Sequence, residues 1–163
     1  MEIYILRYGI AVDRGSPGFK KDSDRPLTKE GEEKMHQIAD TMLGMGLKFD
    51  LILSSPYLRA EQTAQIVADT LDREVTLTKT LAPDANALEL IAEINDEKPH
   101  SVLLVGHEPD LSLLISVLVC GTSDCSFELK KGGLCKLTAD TITFGRCATL
   151  NWLITPKHIR EMR

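Results

Sequence analysis

The sequence predicts an α/β fold of three layers, α/β/α, in which helices cover both faces of a mostly parallel central sheet. Strand-like and helix-like segments alternate along the chain, as they do in folds built from repeated β-α units. The nearly continuous apolar run at Ser101–Val105 is typical of a strand buried on both faces of such a sheet. The 163 residues contain no linker, repeat or low-complexity tract, so we expect residues 1–163 to form a single domain.

The first third of the chain predicts a strand, a loop and a helix. Glu2–Leu6 has the composition of a strand, and the polar segment Gly9–Arg25 follows it as a loop rich in turn-forming residues. Thr28 is placed as the N-cap of a helix, with acidic residues in the first turn and with Gly44 and Gly46 at the end. Apolar residues at helical spacing predict its core-facing side: Met35, Ile38, Ala39, Met42 and Leu43.

The remainder of the chain continues this alternation. Asp50–Ser54 predicts a short strand that stops before Pro56, and Tyr57–Leu71 predicts a helix. Leu111–Val119 predicts a very apolar helix, and Gly133–Ile154 contains three short β-like segments, which we expect at the edge of the sheet. Apolar spacing marks the core-facing residues of the second helix and of a short third one: Ala60, Ala64, Val67, Ala68 and Leu71, then Leu88, Ile91 and Ile94.

The charge pattern argues against nucleic acid and acidic membranes as partners. The net charge is −5, and the sequence shows no stripe of Lys and Arg of the kind that binds polyanions. The longest apolar stretch, Leu111–Cys120, is too short to cross a bilayer. Met1 is followed at once by a strand-like run rather than by a signal peptide. We therefore expect a soluble, cytoplasmic protein.

The sequence predicts neither a cofactor nor a metal. The four cysteines, Cys120, Cys125, Cys135 and Cys147, lack the paired spacing of zinc sites, and no histidine lies among them. Small thiols in a reducing compartment are therefore expected instead of disulfides. The phosphate-binding loops of nucleotide-dependent enzymes and the His-Glu-x-x-His metal motif are also missing from the sequence.

Three polar residues follow the ends of predicted parallel strands, where α/β folds bind their ligands. Arg7 ends the first strand, Arg59 lies in the first turn after the second, and His107 follows the buried strand. Together they predict a site for a small dianion such as phosphate. Each also has an ordinary interpretation: Arg7 as a surface cation, Arg59 as a partner of Glu61 or of solvent, and His107 as a loop histidine. The remaining histidines are interpreted as solvated: His36, His100 and His158.

Four segments, taken in order, resemble the histidine phosphatase superfamily. They are Leu6–Gly9, Arg25–Thr28, Ser54–Ala64 and Val105–Pro109, and the chain ends with Asn151–Pro156. The Ser-Pro-x-x-Arg-Ala-x-Gln-Thr block and the Gly-His-x-Pro turn are specific in combination, and the resemblance covers essentially the whole chain. The short length and the ending are similar to the SixA-type phosphohistidine phosphatases.

The resemblance implies a phosphoglycerate mutase-like fold and a set of roles. Arg7, Arg59 and His107 match the family's phosphate-binding positions, and Tyr8 matches the position of its nucleophilic histidine. Arg25 is a further candidate for positioning substrate, with a solvated loop charge as its alternative. The implied substrate is phosphohistidine on a phosphotransfer protein or a histidine-kinase domain.

Tyr8 departs from the family pattern Arg-His-Gly. A phenol has a pKa of about 10, so little of it is ionised at neutral pH unless neighbouring arginines lower that pKa. The tyrosine hydroxyl also reaches farther than an imidazole nitrogen, into the space meant for phosphate. We therefore expect impaired turnover. An engineered knockout, a natural relative without activity and an enzyme with a tyrosyl nucleophile are all compatible with the sequence.

No general acid stands out among the acidic candidates, Asp84, Glu89 and Glu108. The connection between Leu71 and Ser101 also leaves little room for an inserted segment that caps the site. A labile P–N bond needs less acid assistance, which agrees with a phosphohistidine substrate. Two alternatives stay open: a non-catalytic module that binds a phosphorylated ligand, and a mutase-like enzyme or phosphomonoesterase acting on small metabolites.

Overall fold

The computed structural model describes residues 1–162, which contain one six-stranded sheet and five α-helices. In chain order these elements are β1 Glu2–Arg7, α1 Lys29–Gly44, β2 Leu51–Ser54, α2 Leu58–Leu71, β3 Thr76–Leu77, α3 Ala87–Glu97, β4 Ser101–Gly106, α4 Asp110–Cys120, β5 Leu134–Ala139, β6 Ala148–Ile154 and α5 Pro156–Glu161. Two short 3₁₀ turns, Asp22–Asp24 and Lys79–Leu81, lie in the connections.

The sheet is mostly parallel, as the sequence predicts. Its strand order is β3-β2-β4-β1-β5-β6. The strands β3, β2, β4 and β1 pair in parallel, whereas β5 is antiparallel to both β1 and β6. The prediction of three β segments within Gly133–Ile154 is wrong, because residues 140–147 form bends and turns between two strands.

Helices cover both faces of the sheet and bury a separate apolar cluster on each. Side chains of α1, α2 and α5 pack on one face, and side chains of α3 and α4 pack on the other. Along β4, Leu103 and Val105 point to the first cluster, while Val102 and Leu104 point to the second. This alternation explains why the strand is apolar at nearly every position, and it gives the three-layer arrangement.

Two residues assigned to helix cores are exposed. Leu43 is 53% exposed and Leu88 is 54% exposed. In α1 the buried stripe ends at Met42, and in α3 Leu90 takes the core position together with Ile91 and Ile94. Each exposed leucine lies just outside an apolar stripe, where spacing alone does not separate the rim of a helix face from its centre.

The short elements β3 and α5 were not predicted. Only two residues of β3 pair with β2, which is too little to leave a sequence pattern. The helix α5 does carry a recognisable start, because Thr155 accepts a hydrogen bond from the His158 backbone N–H and Pro156 occupies the first turn. Within the described residues, we find no helix with both the length and the apolar character needed to cross a membrane.

The register between the two central strands brings their ends together. Arg7 at the end of β1 is paired with Gly106 at the end of β4, and the Tyr8 backbone N–H donates to the Gly106 carbonyl at 3.3 Å. The Ser55 backbone N–H, just beyond β2, donates to the Val105 carbonyl at 3.0 Å. The residues that follow β1, β2 and β4 therefore meet at one edge of the sheet.

Candidate active site

The structure brings Arg7, Tyr8, Arg59 and His107 into one cluster at this edge. The Arg59 guanidinium carbon lies 4.8 Å from the centre of the Tyr8 ring, and that of Arg7 lies 5.7 Å from it. The rings of Tyr8 and His107 are 5.1 Å apart, centre to centre. An aromatic ring is thus surrounded by two cations and an imidazole.

Arg59 is the most deeply buried charged side chain of the cluster, at 2% exposed. Its two terminal nitrogens donate to Asp22: Nη1 to the backbone carbonyl at 2.8 Å and Nη2 to the carboxylate at 3.1 Å. Nη2 also lies 3.3 Å from His107 Nδ1. The alternative partners proposed for Arg59, Glu61 and solvent, are therefore wrong in this structure.

Arg7 is half-buried and is held from the opposite side of the site. Its Nη1 donates to the Leu129 carbonyl at 3.0 Å. The Gly132 backbone N–H donates to the carbonyls of Arg7 at 3.0 Å and Tyr8 at 3.2 Å. The segment between α4 and β5 therefore fixes both the backbone and the side chain of Arg7. The Nε atoms of Arg7 and Arg59 are buried and have no hydrogen-bond partner among the described residues.

His107 is 3% exposed and held at both ring nitrogens. Because a guanidinium only donates, Nδ1 accepts from Arg59, and the proton lies on Nε2, which is 2.7 Å from Ser55 Oγ. Burial and the positive charge of Arg59 lower the pKa of His107 from its ordinary 6.5 to about 3. The imidazole is therefore neutral at physiological pH.

The lowered pKa of His107 makes the free energy of unfolding depend on pH. Because the folded pKa lies below the unfolded one, the unfolded chain binds more protons, and stability is lost as pH falls from 6.5 towards about 3. We expect His107 to reduce the free energy of unfolding by about 2 kcal/mol between about pH 8 and about pH 5. Urea unfolding of the parent and of His107→Gln at both pH values measures this. Equal pH dependence in the two proteins would contradict it.

Tyr8 lies in the middle of these charges and is 8% exposed. Burial alone would raise the pKa of its phenol. The charge of Arg59 and a hydrogen bond to it, with the charge of Arg7, outweigh burial, so the pKa of Tyr8 lies below its ordinary 10.0. The site thus favours negative charge at the Tyr8 hydroxyl more than water does.

The loop after Tyr8 is fixed by close contacts to the two helices beside it. The Gly9 backbone N–H donates to Thr63 Oγ1 of α2 at 3.1 Å, and the Thr28 N–H donates to the Ile10 carbonyl at 2.9 Å. A Cβ atom on Gly31 in α1 would lie 2.0 Å from the Ile10 carbonyl oxygen, so only glycine allows this approach. Thr28 also caps α1 as predicted, accepting from the Gly31 N–H at 3.0 Å.

Asp22 is the charged residue of the site that sequence reasoning missed. Its carboxylate bonds Arg59 at 3.1 Å, Arg25 at 2.9 Å and Arg14 at 3.3 Å. Although burial opposes ionisation, hydrogen bonding to Arg25 and the charges of Arg59 and Arg25 hold the pKa of Asp22 below its ordinary value. The sequence offers one signal for Asp22, which is its position three residues before Arg25. No sequence pattern indicates that the loop folds onto Arg59.

Arg25 lies in the same loop as Asp22, and its side chain is buried there. It is 6% exposed, and besides Asp22 it bonds the Val12 carbonyl. The alternative of a solvated loop charge is therefore wrong. Among the described residues, none of the acidic candidates bonds a side chain of the cluster: Glu108 accepts from the Ser112 N–H at the start of α4, and the Asp84 N–H donates to Asp110. Glu89 is exposed in the first turn of α3.

The remaining histidines and the cysteines lie outside the cluster. His36, His100 and His158 are exposed. All four cysteines are free thiols: Cys135 is buried, Cys120 and Cys147 are half-buried, and Cys125 is exposed.

Comparison with known proteins agrees with this fold. Residues 3–83 match the family model of the histidine phosphatase superfamily (branch 1). The chain is 30% identical over 166 residues to the phosphohistidine phosphatase SixA of Escherichia coli K12, covering 98% of this chain and 97% of that protein. The chain therefore belongs to the histidine phosphatase superfamily, and its full-length similarity to SixA makes it a phosphatase, which is a hydrolase. Within that family it is of the SixA type.

Two further relatives extend this result. An uncharacterized protein of Picosynechococcus is 38% identical over 138 residues, which is 82% of each chain. The structure of the protein histidine phosphatase SixA complexed with tungstate superposes with a TM-score of 0.82 at 28% identity, covering 98% of this chain and 99% of that one. The phosphoglycerate mutase-like fold implied by the sequence is thereby confirmed.

Proposed function

We propose that this single-domain, cytoplasmic protein acts on phosphohistidine carried by a phosphotransfer protein or a histidine-kinase domain. The observation that carries the proposal is the cluster of Arg7, Arg59 and His107, with two guanidinium groups and a neutral imidazole converging at the ends of three strands. Full-length similarity to a protein named phosphohistidine phosphatase supports the same substrate.

Arg7, Arg59 and His107 bind the phosphoryl oxygens in this proposal. Both arginines are held by carbonyl groups, at Leu129 and Asp22, so their charges are oriented before the ligand arrives. Donors that need no reorganisation are the main source of stabilisation in phosphoryl transfer. The neutral His107 adds no buried charge, and its Nε2–H, which donates to Ser55 Oγ in this structure, turns to a phosphoryl oxygen when the ligand binds. The binding of tungstate, a tetrahedral anion, by the related SixA supports an anion site in this fold.

Tyr8 occupies the nucleophile position and limits turnover in this proposal. Its ring lies beside both Arg59 and His107 and fills part of the space next to the cations. A buried phenol is a weak nucleophile at neutral pH even with its pKa lowered. This residue is also the observation that favours the second candidate, a module that binds a phosphorylated protein without hydrolysing it.

The test compares two substrates with the same chain. Phosphate release is measured from a phosphohistidine-bearing phosphotransfer protein and from a phosphoserine peptide, and binding of inorganic phosphate is measured by calorimetry. We expect slow release from phosphohistidine, none from phosphoserine, and phosphate binding. Faster release from phosphoserine would overturn the substrate assignment. Phosphate binding with no release from either substrate would favour the binding module.

Asp22 should compete with the phosphoryl group for Arg59. Its carboxylate takes one Arg59 donor and places a negative charge beside the proposed anion site. We expect Asp22→Asn to bind inorganic phosphate about tenfold more tightly, because a repulsion of roughly 1.4 kcal/mol is removed. Calorimetry measures the affinity, and Asp24→Asn, an exposed neighbour, is the control. Weaker binding by Asp22→Asn would instead mean that Asp22 is needed to hold Arg59 in place.

A further inference from the structure

A groove with a basic rim lies beside the cluster, between α1, α5 and the segment before β5. It has a volume of about 160 Å³, and four of its lining residues are cationic: Lys34, Lys131, Lys157 and Arg160. Its apolar floor includes Met35, Ile38 and Pro156. We call this the basic groove. None of its four cations makes a hydrogen bond or an ion pair to Arg7, Tyr8, Arg59 or His107 in the described part of the chain.

The basic groove adjoins the candidate active site. Gly9, the residue after Tyr8, is part of its lining, as is Gly132, whose backbone N–H bonds the carbonyls of Arg7 and Tyr8. The charge of Lys131 is among the influences that lower the pKa of Tyr8, which requires the two groups to be near each other. Because β6 runs parallel to β1, α5 starts at the same edge of the sheet as the cluster.

The positive charge of the groove is only partly compensated. Lys34 pairs with Glu30, and Lys157 lies 3.9 Å from Glu161. Lys131 and Arg160 make no ion pair with any residue in the described part of the chain. The chain as a whole carries a net charge of −5, so this concentration of positive charge is a local exception on an acidic protein. Such a patch is complementary to an acidic surface.

We propose that the basic groove docks an acidic segment of the phosphorylated protein partner, and this rests on the proposed function. The groove, at about 160 Å³, is smaller than the roughly 300 Å³ or more of typical small-molecule pockets, which disfavours a nucleotide or other cofactor-sized ligand. Carboxylates in an extended segment pair with the rim cations while the phosphorylated side chain enters the cluster. The rim charges thus select acidic partners and increase the rate of encounter.

The test uses an acidic peptide without phosphate, so that it does not depend on the cluster. A fluorescent peptide of about twelve residues, rich in Asp and Glu, is titrated with the full chain at low salt and followed by anisotropy. The control peptide has Asn and Gln in place of the acidic residues. We expect the acidic peptide to bind and the control peptide to bind at least about tenfold more weakly, since the attraction is electrostatic.

Charge reversal in the groove identifies the site of binding. Lys157→Glu/Arg160→Glu should weaken binding of the acidic peptide by at least about tenfold. Lys48→Glu/Lys98→Glu makes the same change in net charge at the opposite edge of the sheet, because these residues precede β2 and β4. This variant should change the affinity for the acidic peptide by less than about twofold. Equal losses in the two variants, or none in the first, would overturn the proposal. If α5 fails to fold in the first variant, Lys34→Gln/Lys131→Gln tests the same rim from outside that helix.

Two further measurements separate this proposal from its alternatives. Inorganic phosphate is titrated in parallel: loss of peptide binding with retained phosphate binding in the groove variant supports a docking role distinct from the cluster. Peptide binding without phosphate binding in the parent would remove the proposed function and leave the basic groove as a docking surface for acidic segments. Binding to vesicles that contain anionic phospholipid, without binding to the peptide, would overturn the proposal in favour of a membrane surface.

Discussion

Replacing Tyr8 with histidine is expected to raise the rate of phosphohistidine hydrolysis by at least about 10²-fold. An imidazole nitrogen at position 8 attacks phosphorus and forms a new P–N bond while the P–N bond of the substrate breaks, and the partner's imidazole leaves with a proton taken from solvent. Water then breaks the new P–N bond, which releases phosphate and restores the histidine. A tyrosyl oxygen at the same position is a weak nucleophile, and an aryl phosphate ester formed on it hydrolyses too slowly to contribute measurable turnover. The shorter side chain also vacates space next to Arg59, whose guanidinium lies 4.8 Å from the present ring. Phosphate release from a phosphohistidine-bearing phosphotransfer protein measures the change.

Tyr8→Phe is the matched control for this experiment. It keeps the aromatic ring against His107 and removes only the hydroxyl, so its rate should equal that of the parent chain. A parent that is much faster than Tyr8→Phe would show that the phenol itself performs the chemistry. A Tyr8→His variant no faster than the parent would contradict the assignment of position 8 to the nucleophile.

Replacing Arg59 with lysine is expected to weaken binding of inorganic phosphate by about 10²-fold, although the charge is kept. The guanidinium uses Nη1 for the Asp22 carbonyl and Nη2 for both the Asp22 carboxylate and His107. A lysine ammonium cannot hold these partners and an anion with the same geometry. The substitution also leaves the buried acceptor Nδ1 of His107 without its donor, which destabilises the site further. Calorimetric titration with phosphate measures the affinity.

Arg73→Lys is the comparison for Arg59→Lys. Arg73 is exposed just beyond the end of α2, and its side chain bonds only the neighbouring Asp72 carbonyl among the described residues. Its substitution should leave phosphate affinity unchanged. Urea unfolding of both variants separates a loss of the site from a loss of the fold. Unchanged affinity in a folded Arg59→Lys would remove Arg59 from the proposed anion site.

The sequence predicted the meeting of Arg7, Arg59 and His107 because each lies at the end of a strand or in the short segment after it, and parallel strands bring their ends to one edge. Asp22 was not predictable in the same way, because it lies in a long loop whose path over Arg59 depends on contacts distant in sequence. The exposure of Leu43 and Leu88 was missed for a related reason. Helical spacing shows which side of a helix a residue lies on, but how much of that side is buried depends on the neighbouring elements of the folded chain. The turn between β5 and β6 also contains residues that favour strands, Thr141–Phe144, so propensity alone does not decide which residues pair.

The pairing of β1 with β4 protects the backbone of the site from local opening. Arg7, Tyr8 and His107 are attached to the two central strands of the sheet, so exposing their backbone requires the cooperative unfolding of the whole domain. Asp22 is attached to a peripheral loop, which opens at a much smaller free energy. Amide hydrogen exchange should therefore be slow and global at Tyr8 and fast and local around Asp22. The protein can thus change the charge next to its cations by a loop fluctuation while the cations themselves stay in place.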